Sequence, residues 1–273
     1  VQKAKKSTLY LAILWSIYAS VLILFILIMV LIGKGRMGFM PGFSELENPQ
    51  TNLASEIYSD SGQVIGKYFI ENRTFVEFDE LSPNLVNALI ATEDIRYRRH
   101  SGIDVRGLAR AVVKSVLLGQ HAGGGSTLSQ QLAKNLFPRD TLRRRSAIGR
   151  ASHMAIVKFK EWNTAVRLER SYTKNEIIMM YMNTVPFGGE SIVGIQSASK
   201  TFFNTTPDSL TIEQAAVLVG MLRAPTAYNP KINPERSLQR RNTVISQMAK
   251  YDFLDQQSAD SIKQLSTILD YNI

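Results

Sequence analysis

The stretch HAGGGSTLSQQLAKN, residues 121–135, sets how the rest of the chain is read. Glycines 123 to 125 leave the backbone free, Ser126 and Thr127 are both helix-capping residue types, and Thr127 with Gln130 fits the capping box. A helix therefore starts here, with Lys134 one to two turns inside it. The N-terminus of such a helix offers unpaired N–H groups and partial positive charge, so an anion can be held at that end. A nucleotide-binding loop is a poor match, because it needs Gly-Lys before its Ser or Thr and that place reads Gly124-Gly125. Many loops precede capped helices without binding anything, so the pattern alone leaves both readings open.

Working outward, the spacing of apolar residues is helical from Ser82 onward: LVNALIATEDIRY, VRGLARAVVKSVLL, HMAIVKFKEWNTAVRLER, KNEIIMMYMN, IEQAAVLVGML and ERSLQRRNTVISQMAKY each suit an amphipathic helix. Upstream, EIYSDSGQVIGKYFIENRTFVEFDEL alternates apolar and polar residues around Asp60-Ser61-Gly62, which predicts a small β-hairpin or meander. Residues 9 to 32 carry no charge and would extend roughly 36 Å as a helix, enough to cross a bilayer. A cleaved signal peptide has a shorter apolar core ending in small residues, whereas this run exits into GKGRMGF. The expected organisation is a tail over 1–8, a transmembrane helix over 9–32, a linker over 33–52, a β element over 53–80, a main helical domain over 81–250, and a C-terminal tail or linker over 251–273.

The chain has 273 residues, 45% of them apolar, and a formal charge of +9. It is long enough to bury a core, and the basic excess favours anionic partners: polyanions, acidic lipids or phosphorylated substrates. With no cysteine and three scattered histidines, a zinc site of Cys or His-cluster type is not expected, and the metal-ligand set is read as none. Lys3, Lys5 and Lys6 precede the apolar run while Lys34 and Arg36 follow it, a slight bias toward a cytoplasmic N-terminus.

Three places offer chemistry. Glu93-Asp94 ends a largely apolar helix, and carboxylates there are costly unless solvated, paired or used; His100 follows within the same polar turn. Lys158 and Glu161 stand at i and i+3 in VKFKEW, a spacing that commonly makes only a surface pair. The run RDTLRRRSAIGR holds Arg139, Arg143, Arg144, Arg145 and Arg150, which is either a solvated face or a phosphate-neutralising one. From the residues alone, a solvated helix end and a structural histidine remain the plainer reading of the first.

Taken in order, EDIRYRRHSG, GGSTLSQQLAKN, KFKEW, YMNTVPFGGESIVGIQSASKTFF and IEQAAVLVGMLRAPTAYNP resemble the peptidoglycan glycosyltransferases, the polymerising module of class A penicillin-binding proteins and of monofunctional transglycosylases. The resemblance runs from about Leu81 to Met248. It implies a mainly α, lysozyme-like, two-lobed domain with a small β-hairpin element behind one transmembrane helix. It also implies polymerisation of lipid II into β-1,4 glycan strands with inversion and release of polyprenyl diphosphate. Glu93 would be the general base, and Glu161 a second catalytic glutamate that orients cations, a metal or substrate. Asp94, His100, Ser126, Thr127, Gln130, Gln131, Lys134, Asn135, Arg143, Arg145, Lys158 and Asn183 would bind substrate, with Lys134, Lys158 and nearby arginines on the diphosphate. No cofactor is implied beyond room for a divalent cation, Mg or Mn. The implied partners are lipid II, the growing lipid-linked glycan, the membrane and a transpeptidase domain in a longer chain, and no nucleic acid. The implied location is the bacterial inner membrane, single-pass, with the catalytic domain on the periplasmic or extracellular face.

Two positions depart from the family pattern: Tyr97 stands where Phe is more usual, and Val157 where an Arg often precedes the lysine of KFKE, leaving that contact to Arg143, Arg144, Arg145 or Arg150. Ser197-x-x-Lys200 matches the Ser-x-x-Lys of penicillin-binding transpeptidases, but it falls inside a glycosyltransferase block, and Lys200-Thr201 is followed by Phe rather than Gly. The competing reading is a membrane-anchored lysozyme-like hydrolase or lytic transglycosylase, which would lack use for phosphate-holding cations; a non-catalytic scaffold would have no use for Glu93, Gln131, Lys134 and Glu161 together.

Overall fold

In the computed structural model the apolar N-terminal run lies in one helix, α1 (Gln2–Gly33), long and apolar enough to cross a membrane. The structure describes residues 2–36, 55–58, 64–68, 75–117, 125–136, 147–188 and 192–271. Along the described part of α1, side chains such as Leu14, Trp15, Ile23 and Leu27 are exposed, as a lipid-facing helix requires. Its C-terminal end behaves differently. Ile32 is fully buried, and the carbonyl of Gly33 accepts a hydrogen bond from the Arg167 guanidinium at 3.1 Å. Arg167 belongs to the 25-residue helix α5 described below.

Strands β1 (Ser55–Tyr58) and β2 (Val64–Tyr68) pair antiparallel, with an irregularity between Ile57 and Tyr58. The linker expected over 33–52 lies outside the described residues beyond Arg36.

The rest of the described chain is helical: α2 (Pro83–Glu93), α3 (Val105–Leu117), α4 (Leu128–Leu136), α5 (Ala147–Ser171), α6 (Lys174–Thr184), α7 (Ile195–Phe203), α8 (Ile212–Met221), α9 (Pro234–Lys250) and α10 (Gln256–Gln264). Helix α8 is the centre of the core. Ala215 through Met221 are all buried, so it is apolar all round, and it packs between α9 and α2. Thr211 caps it, accepting from the Gln214 N–H while Gln214 returns a bond to the Thr211 N–H. Helix α6 starts with the same reciprocal box, Thr173 with Glu176, and buries Ile177, Ile178 and Tyr181 against α4. Helix α2 begins at Ser82, whose hydroxyl accepts from Leu85 N, with Pro83 in the first turn where its missing N–H costs nothing.

Packing of the helical domain runs past both ends of the range 81–250. Its body begins before residue 81: Val76 is buried and its backbone is clasped by Asn183, whose Oδ1 accepts from Val76 N at 2.9 Å and whose Nδ2 donates to Val76 O at 2.8 Å. Residues 251–271 pack on the domain as well. Helix α10 packs on α9 with Ala259 fully buried. The fully buried Arg241 donates to the carbonyls of Lys263 and Leu265 at 3.2 and 2.7 Å, at the end of α10. The segment continues onto α7, with Asp270 N on Phe202 O, and Lys231 lies over the Tyr271 ring at 3.7 Å. The physical reason is the buried guanidinium, which needs several acceptors: Asn242 Oδ1 beside it takes two of its bonds, and this segment supplies the others.

The docked end of α1 carries a prediction. Removing residues 1–36 strips Ile32 from its site on α5, a burial worth about 2 kcal/mol. The truncated chain is therefore expected to fold, with its own core intact, but to unfold several degrees lower than the full chain in the same detergent, read by thermal denaturation. An unchanged midpoint would mean that the anchor is not packed on the domain.

Candidate active site

Helix α2 buries Leu85, Val86, Leu89 and Ile90 and ends at Glu93, where the chain turns out of the helix at Asp94. The two adjacent carboxylates consequently part company. Glu93 Oε2 accepts from Gln131 Nε2 on α4 at 3.0 Å, and its Oε1 faces an Arg240 guanidinium nitrogen on α9 at 3.9 Å. The Glu93 side chain keeps 18% of its surface exposed, enough for a reacting group to touch it. Gln131 is held in turn by Tyr181 of α6, whose hydroxyl donates to Gln131 Oε1 at 2.9 Å. Burial, reinforced by the Glu93 charge, pushes the Tyr181 phenol far above its ordinary range, so it stays protonated. Burial lowers the Arg240 guanidinium from its usual value while Glu93 opposes this.

Asp94 turns inward. Its carboxylate accepts from His100 Nε2 at 3.0 and 3.1 Å and from Leu128 N at 3.1 Å. Leu128 N is the first N–H of α4, so an internal carboxylate already occupies this part of the helix terminus that the sequence offers to an outside anion. The capping box is likewise only half made. Thr127 Oγ1 accepts from Gln130 N at 3.3 Å, but Gln130 Nε2 donates to the carbonyl of Gly102 at 3.1 Å, which also accepts from the Thr127 hydroxyl at 2.7 Å. Thr127 and Gln130 therefore anchor α4 to the turn after His100. Gln130, His100 and Asn183 bond to the protein's own groups, and neither they nor Gln131, Lys134, Asn135, Lys158 and Glu161 are among the residues lining the cavity described below.

Ser126 connects this turn to α5. Lys158 Nζ donates to Ser126 Oγ at 2.8 Å and to Glu161 Oε2 at 2.9 Å, with Glu161 buried. Glu161 thus fixes a cation that reaches the loop before α4. Lys134 is exposed in the last turn of α4, one turn beyond Gln131 on the same side of the helix, and Asn135 is half-buried beside it. Arg143 and Arg145, with Arg139 and Arg144, lie outside the described residues.

Glu93, Asp94, Ser126 and Thr127 open onto a cavity of about 720 Å³. Its wall adds cations that the sequence reading missed: Arg96, Arg110, Lys114, Arg223, Arg240 and Lys250. Arg240, Thr243, Gln247 and Lys250 line it from α9 at spacings of three, four and three, a polar stripe opposite the buried Arg241, Val244, Ile245 and Met248. That spacing was the available signal. Gly107 belongs here because a Cβ on it would lie 2.6 Å from Asp104 Oδ2. Six cations against the carboxylates of Glu93, Asp94 and Asp104 make the space suited to a substrate bearing several negative charges. Among the described residues no three His, Asp or Glu side chains group as a metal site, and the buried Glu161 accepts from Lys158.

The model of the transglycosylase family matches residues 61–249. Penicillin-binding protein 1A of Neisseria flavescens is 36% identical over 221 residues, covering 81% of this chain and 26% of that protein. Penicillin-binding protein 1A/1B of Bacillus subtilis (strain 168) is 39% identical over 220 residues, 80% of this chain and 22% of that protein. This chain thus spans about a quarter of the length of the curated relatives it matches. The crystal structure of penicillin-binding protein 1A from Haemophilus influenzae aligns over 82% of this chain and 22% of its own, with 19% identity and a TM-score of 0.45, too loose an overlap to support an argument. The matched residues include Glu93, Gln131, Lys158, Glu161 and Arg240, and the chain belongs to the transglycosylase family.

Proposed function

We propose that this chain is a membrane-anchored peptidoglycan glycosyltransferase that polymerises lipid II. The observation that carries the reading is Glu93: a partly exposed carboxylate, oriented by Gln131 and facing Arg240, on the wall of a cation-lined cavity. The acceptor's sugar hydroxyl attacks the anomeric carbon of the lipid-linked donor, and Glu93 takes the hydroxyl proton. The new C–O bond forms as the bond from the anomeric carbon to the diphosphate breaks, with inversion to a β-1,4 linkage. Polyprenyl diphosphate leaves with its electron pair. A diphosphate is a good leaving group, so it needs compensating charge more than a proton donor. Arg240 beside Glu93, Lys158 behind Ser126 and Lys134 beyond Gln131 supply that charge. Helix α1 keeps the domain where a lipid-linked substrate is found, the bacterial inner membrane, with the catalytic domain on its outer face. A longer native chain would add a transpeptidase domain to cross-link the product.

Supplying the full chain in detergent with lipid II, and separately with purified sacculi, tests the class of reaction. The expected result is polymeric glycan from lipid II and no soluble fragments from sacculi; fragments without polymer would make the protein a hydrolase or lytic enzyme. Arg240→Ala is expected to lower turnover about 10- to 100-fold, the loss of one charge-assisted contact. Polymerisation within twofold of the unaltered chain would remove Arg240 from the reacting centre.

A further inference from the structure

The proposed role of Glu93 depends on an amide whose orientation it cannot set alone. A glutamine side chain presents an NH2 group and a carbonyl on opposite sides of one rotatable bond, and turning it by half a revolution exchanges donor for acceptor. Only the NH2 end suits an ionised carboxylate; the carbonyl end would repel it. Gln131 faces Glu93 with Nε2 at 3.0 Å, and the group behind it is the Tyr181 hydroxyl, 2.9 Å from Oε1.

Tyr181 is 1% exposed and lies in the core face of α6 among Ile177, Ile178 and Met182. Phenylalanine would fill the same volume, so packing explains the ring and leaves the hydroxyl unexplained. Among the described hydrogen bonds, the hydroxyl's partner is Gln131 Oε1. The hydroxyl stays protonated, since burial and the Glu93 charge both oppose its ionisation. With its proton spent on Oε1, it fixes the carbonyl toward α6 and the NH2 toward Glu93.

We infer that Tyr181 is a positioning residue for the transfer reaction, acting through Gln131 as a lock on the amide that aims the Glu93 carboxylate. The inference rests on Glu93 being the general base. Without the hydroxyl, Oε1 is a buried acceptor with no partner, and the amide gains by rotating toward other donors. Glu93 then loses a fixed donor, and the acceptor hydroxyl meets a carboxylate in several orientations instead of one. Substrate contacts made by the cavity cations are untouched, so the loss falls on kcat and not on KM.

The test compares Tyr181→Phe, Gln131→Leu and the double variant in the full chain, measuring kcat and KM for lipid II polymerisation and binding of a phosphoglycolipid that mimics the donor. The expected result is a kcat about 10-fold lower for Tyr181→Phe, KM and donor-mimic binding within twofold of the unaltered chain, and a double variant no slower than Gln131→Leu alone. Three outcomes overturn the inference: unchanged kcat in Tyr181→Phe, a loss of donor-mimic binding in that variant, or losses that multiply in the double variant, since a purely structural tyrosine would act whether or not Gln131 is present. Failure of the underlying reading shows elsewhere, as full activity of Glu93→Gln. An inactive Glu93→Gln beside a fully active Tyr181→Phe sinks the lock alone.

Discussion

Glu93→Gln is expected to lower lipid II turnover by about 10²- to 10³-fold, as removal of a general base does, while leaving fold and donor-mimic binding intact. The isosteric amide keeps the shape of the α2 terminus, and the side chain is not in the core: it meets Gln131 at 3.0 Å and Arg240 at 3.9 Å at the cavity wall. What it loses is the capacity to accept the acceptor's proton. Thermal unfolding near that of the unaltered chain, with kcat reduced and KM little changed, is the expected pattern. A fast Glu93→Gln would leave Asp94 and Asp104 as the remaining carboxylates of the cavity, yet Asp94 is already held by His100 and Leu128 N, and Asp104 lies 3.5 Å from Arg96 Nε.

Gly102→Ala is expected to have the largest effect on stability. Gly102 has φ of +90°, a conformation that side chains disfavour, and a Cβ there would lie 2.8 Å from the Ala165 carbonyl carbon and 2.9 Å from Val166 N on α5. Neither neighbour is a flexible side-chain tip. Left-handed strain and overpacking against backbone together cost about 3 kcal/mol, which for a domain of this size lowers the unfolding midpoint by about 6 to 12 °C. The damage would spread to the site, because the Gly102 carbonyl is the acceptor that Thr127 and Gln130 share. Thermal denaturation of the purified variant reads the loss directly; an unchanged midpoint would mean that α5 does not crowd this turn.

How much of this is legible in the sequence depends on whether a relation is local. The helices from Ser82 onward, the cap at Thr127 and the Lys158–Glu161 pair are each set within four residues, and periodicity and capping rules find them. Asp94 as the internal anion at α4 is not local, since its bond to Leu128 N spans 34 residues. For the same reason local spacing does not reveal the second half of the capping box: Gln130 turns to Gly102, 28 residues away, instead of to its own helix start. Arg240 and Arg241 show the limit most clearly. They are adjacent and chemically identical, yet neighbouring positions on a helix point about 100° apart, so one faces the cavity and the other is fully buried at the end of α10. Which is which depends on where α9 packs, although the polar stripe Arg240, Thr243, Gln247, Lys250 already marks the cavity side. Resemblance to a family identified Glu93 and Gln131, while Tyr181 enters only through the distance between its hydroxyl and Gln131 Oε1.

The proposed reaction is a single inverting displacement in which Glu93 deprotonates an acceptor sugar and a diphosphate departs. Its most direct test is to give lipid II to the full chain in detergent and count polyprenyl diphosphate released against glycosidic bonds formed, with the anomeric configuration of each new bond. The expected result is one released diphosphate for every new linkage, every linkage β, and no free reducing sugar ends accumulating beyond those in the starting material. Release of diphosphate without linkage, or new linkages in the α configuration, would contradict it.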